Sequence, residues 1–290
     1  MSKFLSETIV TVLLLSLASS VRAQTPTATP TATPTPAATP TAAPTATPPE
    51  LKLLGKAIAQ FWQGNRAQSE SQIVMTFQRK GTKANPVQIN ANVKTIAQTG
   101  DLFRSELTIS RSGSPASISY SIVCDGQTVW MYRPDKRQYS QSTFAQFKPQ
   151  PYSLLVGLST VFFVSMPEAG RKAIIADMAA GGNPFKSLTP SQMANFKGSI
   201  RQVDGQSLRV YAFDNPAEKS GFSGFVQPET GSLKRVEFMS NTSEAEVKIV
   251  EKIVSYTTTT NPNTKSFKFS PPPGTNKVDS VATDLLQLLQ

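Results

Sequence analysis

The sequence predicts a mainly β fold of the α+β class, built on one long antiparallel sheet. Residues 87–94 (VQINANVK) and 118–122 (ISYSI) alternate apolar and polar side chains, which is the period of a strand with one buried face. Short turn signals such as Asp125-Gly126 separate these segments. No helix of crossover length is predicted between most of them, so neighbouring strands should run antiparallel. We expect about ten strands in a sheet that curls or closes over its apolar face.

The first 50 residues are predicted to lie outside this sheet. Residues 1–23 have the features of a secretory signal peptide, with a short apolar core and a small-x-Ala sequence at 21–23. The core is shorter than the roughly 20 apolar residues that span a bilayer, and an uncleaved anchor is the alternative. Residues 24–50 repeat Pro, Thr and Ala without a large apolar side chain, which predicts a disordered linker. The folded domain is then expected at 51–290.

An amphipathic helix is predicted at the start of this domain, over residues 51–62. Its apolar positions are three or four residues apart, at Leu51, Leu54, Ile58 and Phe61. Gly64 follows and is expected to end it.

Composition excludes most enzyme chemistry. The chain contains no histidine, so Ser-His-Asp and Cys-His catalysis and most zinc sites are unavailable. The acidic residues form no pair with a telling spacing, and the single cysteine, Cys124, reads as a buried strand residue. We therefore predict no enzymatic activity, no metal and no cofactor.

The net charge of the chain is +10, which favours an anionic partner such as a membrane surface. The basic residues are dispersed and contain no RNA-binding motif. No nucleic-acid partner is expected, and the protein is expected to be a monomer. The alternative is that the basic residues simply form a solvated outer face.

The hairpin at residues 123–141 (VCDGQTVWMYRPDKRQYSQ) is unusual because its middle strand is bulky at almost every position. A strand with one solvated face should alternate, so both faces of the strand that carries Trp130 and Tyr132 must be covered. One side is expected to meet an interior cavity and the other to meet the N-terminal helix or an adjoining segment. The pattern leaves open which side is which.

A helical block is predicted at about 151–197, in the middle of the β-rich chain. Residues 151–166 (PYSLLVGLSTVFFVSM) are apolar nearly all round, as in a buried helix. Pro167-Glu168 should start a second helix, and a short third one is expected from Thr189. We expect the block to lie across the mouth of the curled sheet. It either completes a filled core or forms a lid over a cavity that holds acyl chains.

Three segments resemble the LolA/LolB-like superfamily of periplasmic lipoprotein carriers. They are FKFSPPPGTNKV at 267–278, with a Phe-x-Phe strand, the pattern DGxTxWxYxP from Asp125, and Leu102-Phe103. The resemblance implies an unclosed β-barrel of about eleven antiparallel strands with a helical lid. It also implies an apolar interior that receives the acyl chains of lipoproteins or related lipids in the periplasm.

The sequence also departs from that family. The family's lid-latching arginine is replaced by Thr99, and the Pro-Thr-Ala linker and long helical block are additional. The resemblance therefore implies a divergent, outer-membrane lipoprotein-sorting branch. We predict a periplasmic lipid or lipoprotein carrier; the alternative is an envelope-stress sensing or scaffold module of the same fold that binds a protein partner. The residues predicted to line the cavity and lid are Phe103, Leu107, Trp130, Tyr132, Leu154, Leu155, Leu158, Phe162, Phe163 and Ile174.

Overall fold

A computed structural model describes residues 49–81, 85–148, 150–180, 195–260 and 264–282. The predicted signal peptide, nearly all of the predicted linker, and the third helix predicted from Thr189 lie outside these residues.

Within the described residues, twelve strands form a single sheet, one more than the resemblance implied. Its spatial order is β12-β6-β5-β4-β3-β2-β1-β11-β10-β9-β8-β7, and all neighbours are antiparallel except β12, which runs parallel to β6. The strands are β1 Arg66–Arg79, β2 Val87–Gln98, β3 Leu102–Arg111, β4 Ser117–Asp125, β5 Thr128–Arg133, β6 Gln138–Thr143, β7 Phe196–Val203, β8 Gln206–Asn215, β9 Ser220–Val226, β10 Leu233–Asn241, β11 Ala245–Thr259 and β12 Asn276–Lys277.

The sheet consists of two meanders, β1–β6 and β7–β11, joined where β1 pairs with β11. This pairing runs from Arg66 opposite Thr259 to Arg79 opposite Ala245, with one bulge beside Glu70. Within the described residues, the end strands β7 and β12 do not pair with each other. The predicted unclosed antiparallel β-barrel is confirmed.

The helices are concentrated between the two meanders. The first helix, α1 (Pro49–Trp62), precedes β1, and a 3-10 helix (Thr264–Phe267) follows β11. Between β6 and β7 lie α2 (Phe144–Phe147), a 3-10 helix (Pro151–Val156), α3 (Leu158–Ser165) and α4 (Glu168–Ala179). Among the described ranges, no helix is both long and apolar enough to cross a membrane.

The largest core cluster lies on one side of the sheet, here called the inner face, which carries Ile73, Ala91 and Ile249. A smaller, separate cluster is formed by Leu208, Val210 and Phe225. The helix α1 covers one part of this face: Leu51 and Leu54, on its predicted apolar side, cluster with Tyr211 of β8 and Val226 of β9. The helices between β6 and β7 cover the part formed by β2 and β3. Both packings follow from apolar stripes that must be buried.

The bulky strand β5 is covered on both faces, as its sequence predicts. Val129 and Met131 are buried in the core on the inner face. Trp130 and Tyr132 point to the outer face, where the ring of Phe269 lies 6.0 Å and 6.2 Å from theirs. The adjoining segment that covers the outer face is therefore the C-terminal segment, residues 264–270.

This C-terminal segment does not form the strand implied by its Phe-x-Phe motif. Residues up to Phe267 form a 3-10 helix over β3 and β4, and the ladder resumes only at Asn276–Lys277. Arg104 holds the segment across the sheet by donating from Nε to the Ser266 carbonyl at 2.8 Å and from Nη2 to the Lys268 carbonyl at 3.0 Å. The proline run at 271–273 lacks the N–H groups that a ladder needs.

Candidate functional site

The helices between β6 and β7 form a cover on the inner face. This helical cover comprises α2, the first 3-10 helix, α3 and α4. Its buried apolar side chains are Phe147, Leu154, Leu155, Val156, Leu158, Phe163, Val164 and Met166, and all of them join the same cluster as the strands below. Cover and sheet thus present two broad apolar surfaces to each other.

Eight of the ten residues predicted to line the cavity or lid meet at this boundary. Phe103 and Leu107 are buried on the inner face of β3, and Phe103 lies 5.9 Å from the Phe147 ring of the cover. Leu154, Leu155, Leu158 and Phe163 are buried in the cluster, and Phe162 and Ile174 lie partly buried at its margin.

The structure does not bring Trp130 and Tyr132 to this site. They occupy alternate positions of β5, so they face the outer side of the sheet while Val129 and Met131 face inward. Their predicted place in the cavity is corrected accordingly.

An aromatic junction links α1 to the cover. The rings of Trp62 and Phe162 are stacked with centroids 4.7 Å apart, and the Phe61 ring lies 5.8 Å from Phe162 and 6.3 Å from Phe163. On the sheet side, Tyr256 of β11 stacks on Phe61 at 4.5 Å and donates its hydroxyl hydrogen to the Phe61 carbonyl at 2.6 Å. Three elements that are distant in sequence therefore meet at one margin of the covered interior.

A buried carboxylate fastens the cover to the sheet. Glu251 of β11 is fully buried and accepts hydrogen bonds from Ser71 Oγ on β1 at 2.7 Å and from Ser159 Oγ on α3 at 2.5 Å. Its second oxygen accepts from the Ser159 backbone N–H at 2.7 Å, in the first turn of α3. That position also suits a negative charge, because the unpaired N–H groups of a helix lie at its N-terminus.

Two other groups add a second polar link nearby. Thr95 Oγ1 of β2 donates to the Val156 carbonyl at 3.3 Å and lies 2.8 Å from Ser105 Oγ of β3. Both polar links contact the stretch of the cover around Gly157, so the cover is fastened at the start of α3.

Gly157 permits this close approach. It has φ +101°, a region open to glycine and strained for other residues. A Cβ at this position would lie 3.0 Å from Glu251 Oε1. The glycine therefore separates the 3-10 helix from α3 and leaves room for the carboxylate.

Glu251 is not among the site residues predicted from the sequence, although the pattern of its strand indicates an inward carboxyl group. The β11 stretch VKIVEKIV places Val247, Ile249, Glu251 and Ile253 at alternate positions, so a strand of this pattern turns a carboxyl group toward the core. An ionisable residue at an inward position requires hydrogen-bonding partners.

Burial raises the pKa of the Glu251 carboxyl above its ordinary value of 4.5, and the hydrogen bonds from Ser159 and Ser71 oppose that rise. The folded protein then holds a proton at pH values where the unfolded chain has lost it. The contribution of Glu251 to stability should therefore decrease as pH rises from about 4.5 through the raised folded-state pKa. Urea denaturation of the wild type and of Glu251→Gln between pH 4 and 8 measures this. We expect the stability difference, wild type minus variant, to shrink with rising pH, and a constant or growing difference would contradict the assignment.

The described residues contain no obvious catalytic apparatus. Within them, no group of three or more His, Cys, Asp or Glu side chains could hold a metal ion. Cys124 is buried, and this burial raises the pKa of its thiol to about 12, so the reactive thiolate is scarce near neutral pH.

Comparisons with known proteins find similarity only at the level of structure. No family model and no curated protein matches the sequence. LprF from Mycobacterium bovis is 10% identical with a TM-score of 0.38, over 75% of this chain and 98% of that chain. The LolA superfamily protein NE2245 from Nitrosomonas europaea is 8% identical with a TM-score of 0.28, over 75% of this chain and 96% of that one.

The complex of MucA and MucB from Pseudomonas aeruginosa also matches, at 13% identity and a TM-score of 0.28, over 76% of this chain and 61% of that chain. These overlaps are low, and the fold assignment rests on the architecture of this chain itself. Its twelve-stranded sheet is open, and helices inserted between two antiparallel meanders cover the inner face. The chain has the open antiparallel half-barrel with a helical cover that its sequence predicts.

Proposed function

We propose that the protein is a periplasmic carrier that binds the acyl chains of lipoproteins or related lipids between the helical cover and the inner face. The observation that carries this proposal is the boundary itself, where a cover with an apolar underside rests on an apolar sheet. If the cover lifts, both surfaces need a new apolar partner, and a hydrocarbon chain supplies one.

The energetics suit a carrier that recognises chain length more than shape. Burial of each methylene contributes roughly 0.8 kcal/mol, so a chain of about 16 carbons gains on the order of 10 kcal/mol before the cost of lifting the cover. Release requires that the closed and open states differ little in free energy. The polar links at Ser159 and Val156, close to Gly157, join the cover to the sheet over a short stretch, which fits such a balance.

The same proposal places the protein in the periplasm. Residues 1–23 would direct export, and residues 24–50 would form an extended tether, at about 3.1 Å per residue in a proline-rich chain. The excess of Lys and Arg over Asp and Glu, 29 against 19, would favour approach to anionic membrane surfaces.

Phe162→Glu should weaken binding of a fluorescent fatty-acid probe by at least about tenfold, since a carboxylate among the apolar side chains of the boundary is costly to bury. Phe162 is suited to the test because it is only partly buried. Met239→Glu is the matched control, because Met239 is 50% exposed on β10 and should leave binding unchanged. Circular dichroism verifies that both variants are folded. Equal probe binding by the two would show that the cover is not part of the binding site.

Native mass spectrometry of gently purified wild-type protein provides the direct test of the function. We expect co-purified acyl lipid. The alternative, an envelope-stress sensing or scaffold module that binds a protein segment in the same groove, predicts that one envelope protein dominates a cross-linking experiment and that no lipid is found. A lipid-free protein that also ignores lipidated peptides would refute the carrier.

A further inference from the structure

The helix α4 of the cover buries a charged side chain against the aromatic junction. Within its described residues, the one fully buried side chain is Arg171, which is 3% exposed. Its guanidinium carbon lies 4.8 Å from the centre of the Phe163 ring, at the aromatic junction. Its Nε and Nη1 atoms are buried and have no hydrogen-bond partner among the described residues.

Burial of a charged guanidinium without hydrogen-bond acceptors costs free energy. Arginine is rarely fully buried without a partner, and a ring face replaces only part of the lost hydration. Glu168, one turn before Arg171 on α4, is exposed and binds Lys172 at 2.7 Å. Burial lowers the pKa of the Arg171 guanidinium, and the negative charge of Glu168 opposes this fall.

A second unpaired donor belongs to the same junction. Trp62 is 1% exposed, and its indole Nε1 has no hydrogen-bond partner in the described part of the chain. Its ring stacks on Phe162, the neighbour of the Phe163 ring that carries the guanidinium. An indole N–H can only donate, and so can a guanidinium. Both groups therefore require an acceptor.

We propose that Arg171, assisted by Trp62, binds the oxyanion of an amphiphile, a carboxylate or phosphate head, whose acyl chain lies between the cover and the inner face. This inference rests on the proposed function and specifies its ligand class. The planar guanidinium matches both heads through paired, charge-assisted hydrogen bonds. The site lies at the margin of the apolar interior, so one molecule can place its head at Arg171 and its chain beneath the cover. The head reaches the guanidinium as the cover lifts.

The test compares the full-length wild type with Arg171→Met and uses probes with one chain length: palmitate, palmitoyl lysophosphatidic acid and neutral monopalmitoylglycerol. The wild type should bind the two anionic probes about tenfold more tightly than the neutral one, as expected for hydrogen bonds to a charged group. Arg171→Met should lose this preference, so that the anionic and neutral probes bind with about equal affinity. Lys172→Gln removes a neighbouring, exposed charge of the same helix and should behave as wild type.

The outcomes separate this inference from the carrier function. If the neutral and anionic probes bind equally well, or if Arg171→Met keeps the preference, the oxyanion site is refuted and the carrier remains. If no probe binds, the carrier itself fails. Inorganic phosphate that binds as tightly as the lysolipid would show that the site takes a free anion, which overturns the lipid-head assignment.

A second measurement needs no ligand. If Arg171 has no partner in the closed state, Arg171→Met should raise the melting temperature of the lipid-free protein by about 2–4 °C, because replacing an uncompensated buried charge with an apolar side chain is commonly stabilising. A lower melting temperature would mean that the guanidinium is already compensated in the closed state, and would overturn the proposal.

Discussion

Replacement of Glu251 by alanine should lower the free energy of unfolding by about 3–5 kcal/mol, and the cover should loosen first. The substitution leaves a cavity and removes the acceptor of both Ser71 Oγ and the two Ser159 donors. A buried donor without a partner costs about 1–3 kcal/mol, and truncation of a large buried side chain adds a cavity term. Urea denaturation measures the total loss, and hydrogen exchange at the Ser159 amide reports the local opening.

Glu246→Ala is the matched control for this prediction. Glu246 lies on the same strand, but its side chain is exposed, so its loss should change stability by no more than about 0.5 kcal/mol. The Ser159 amide should exchange faster in Glu251→Ala, while amides of the β8–β9 pair, two and three strands away from β11, keep their protection until global unfolding. If both variants lose the same stability, Glu251 does not fasten the cover.

Phe267→Ala should lower the free energy of unfolding by about 3–5 kcal/mol, the usual cost of deleting a buried phenylalanine ring. Phe267 is 1% exposed and lies in the 3-10 helix over β3 and β4. Its loss should also free the C-terminal segment from the outer face. Phe269 would then leave Trp130, and the tryptophan emission of the folded protein should shift to longer wavelength.

Lys268→Ala provides the control, because Lys268 is exposed between the two phenylalanines and takes part in holding the segment only through its backbone carbonyl. It should retain both the stability and the emission of the wild type. An unshifted emission spectrum in Phe267→Ala would mean that the segment stays in place without its buried ring.

Local sequence patterns were sufficient to predict the fold class. They also predicted the number of strands to within one or two. Alternation at residues such as 87–94 gives the strands, and turns such as Asp125-Gly126 make their neighbours antiparallel. Pairing of β1 with β11 does not follow from such patterns. It joins residues about 180 positions apart, such as Ser71 and Ile253, through a choice of partner that no local period contains.

The candidate site was predicted only on its apolar side. The apolar stretch around Leu158 predicted the cover, because a helix that is apolar nearly all round must be buried. A period of two also shows that Trp130 and Met131 face opposite ways, but it does not say which side is the interior. The structure decides this, because the cover lies on the Met131 side and Phe269 on the Trp130 side.

The polar side of the site could not be read from the sequence, because its partners are remote from one another. Ser159 and Glu251 are 92 positions apart, and Ser71 and Glu251 are 180 apart. Nothing in the local sequence around Ser71 or Ser159 marks either serine as a ligand of a buried carboxylate. Only their meeting at one buried carboxylate distinguishes them, and Arg171 is recognisable only once its burial is known.

The unpaired rims of the sheet have a consequence for the size of what it can enclose. A sealed barrel has a diameter fixed by the number and stagger of its strands. Here β7 and β12 end the sheet without meeting in the described part of the chain, so the gap between them can widen or narrow by changes of strand twist alone, without breaking an interstrand hydrogen bond. Under the proposed carrier function, such a sheet would accommodate both narrow single-chain lipids and wider multi-chain ones.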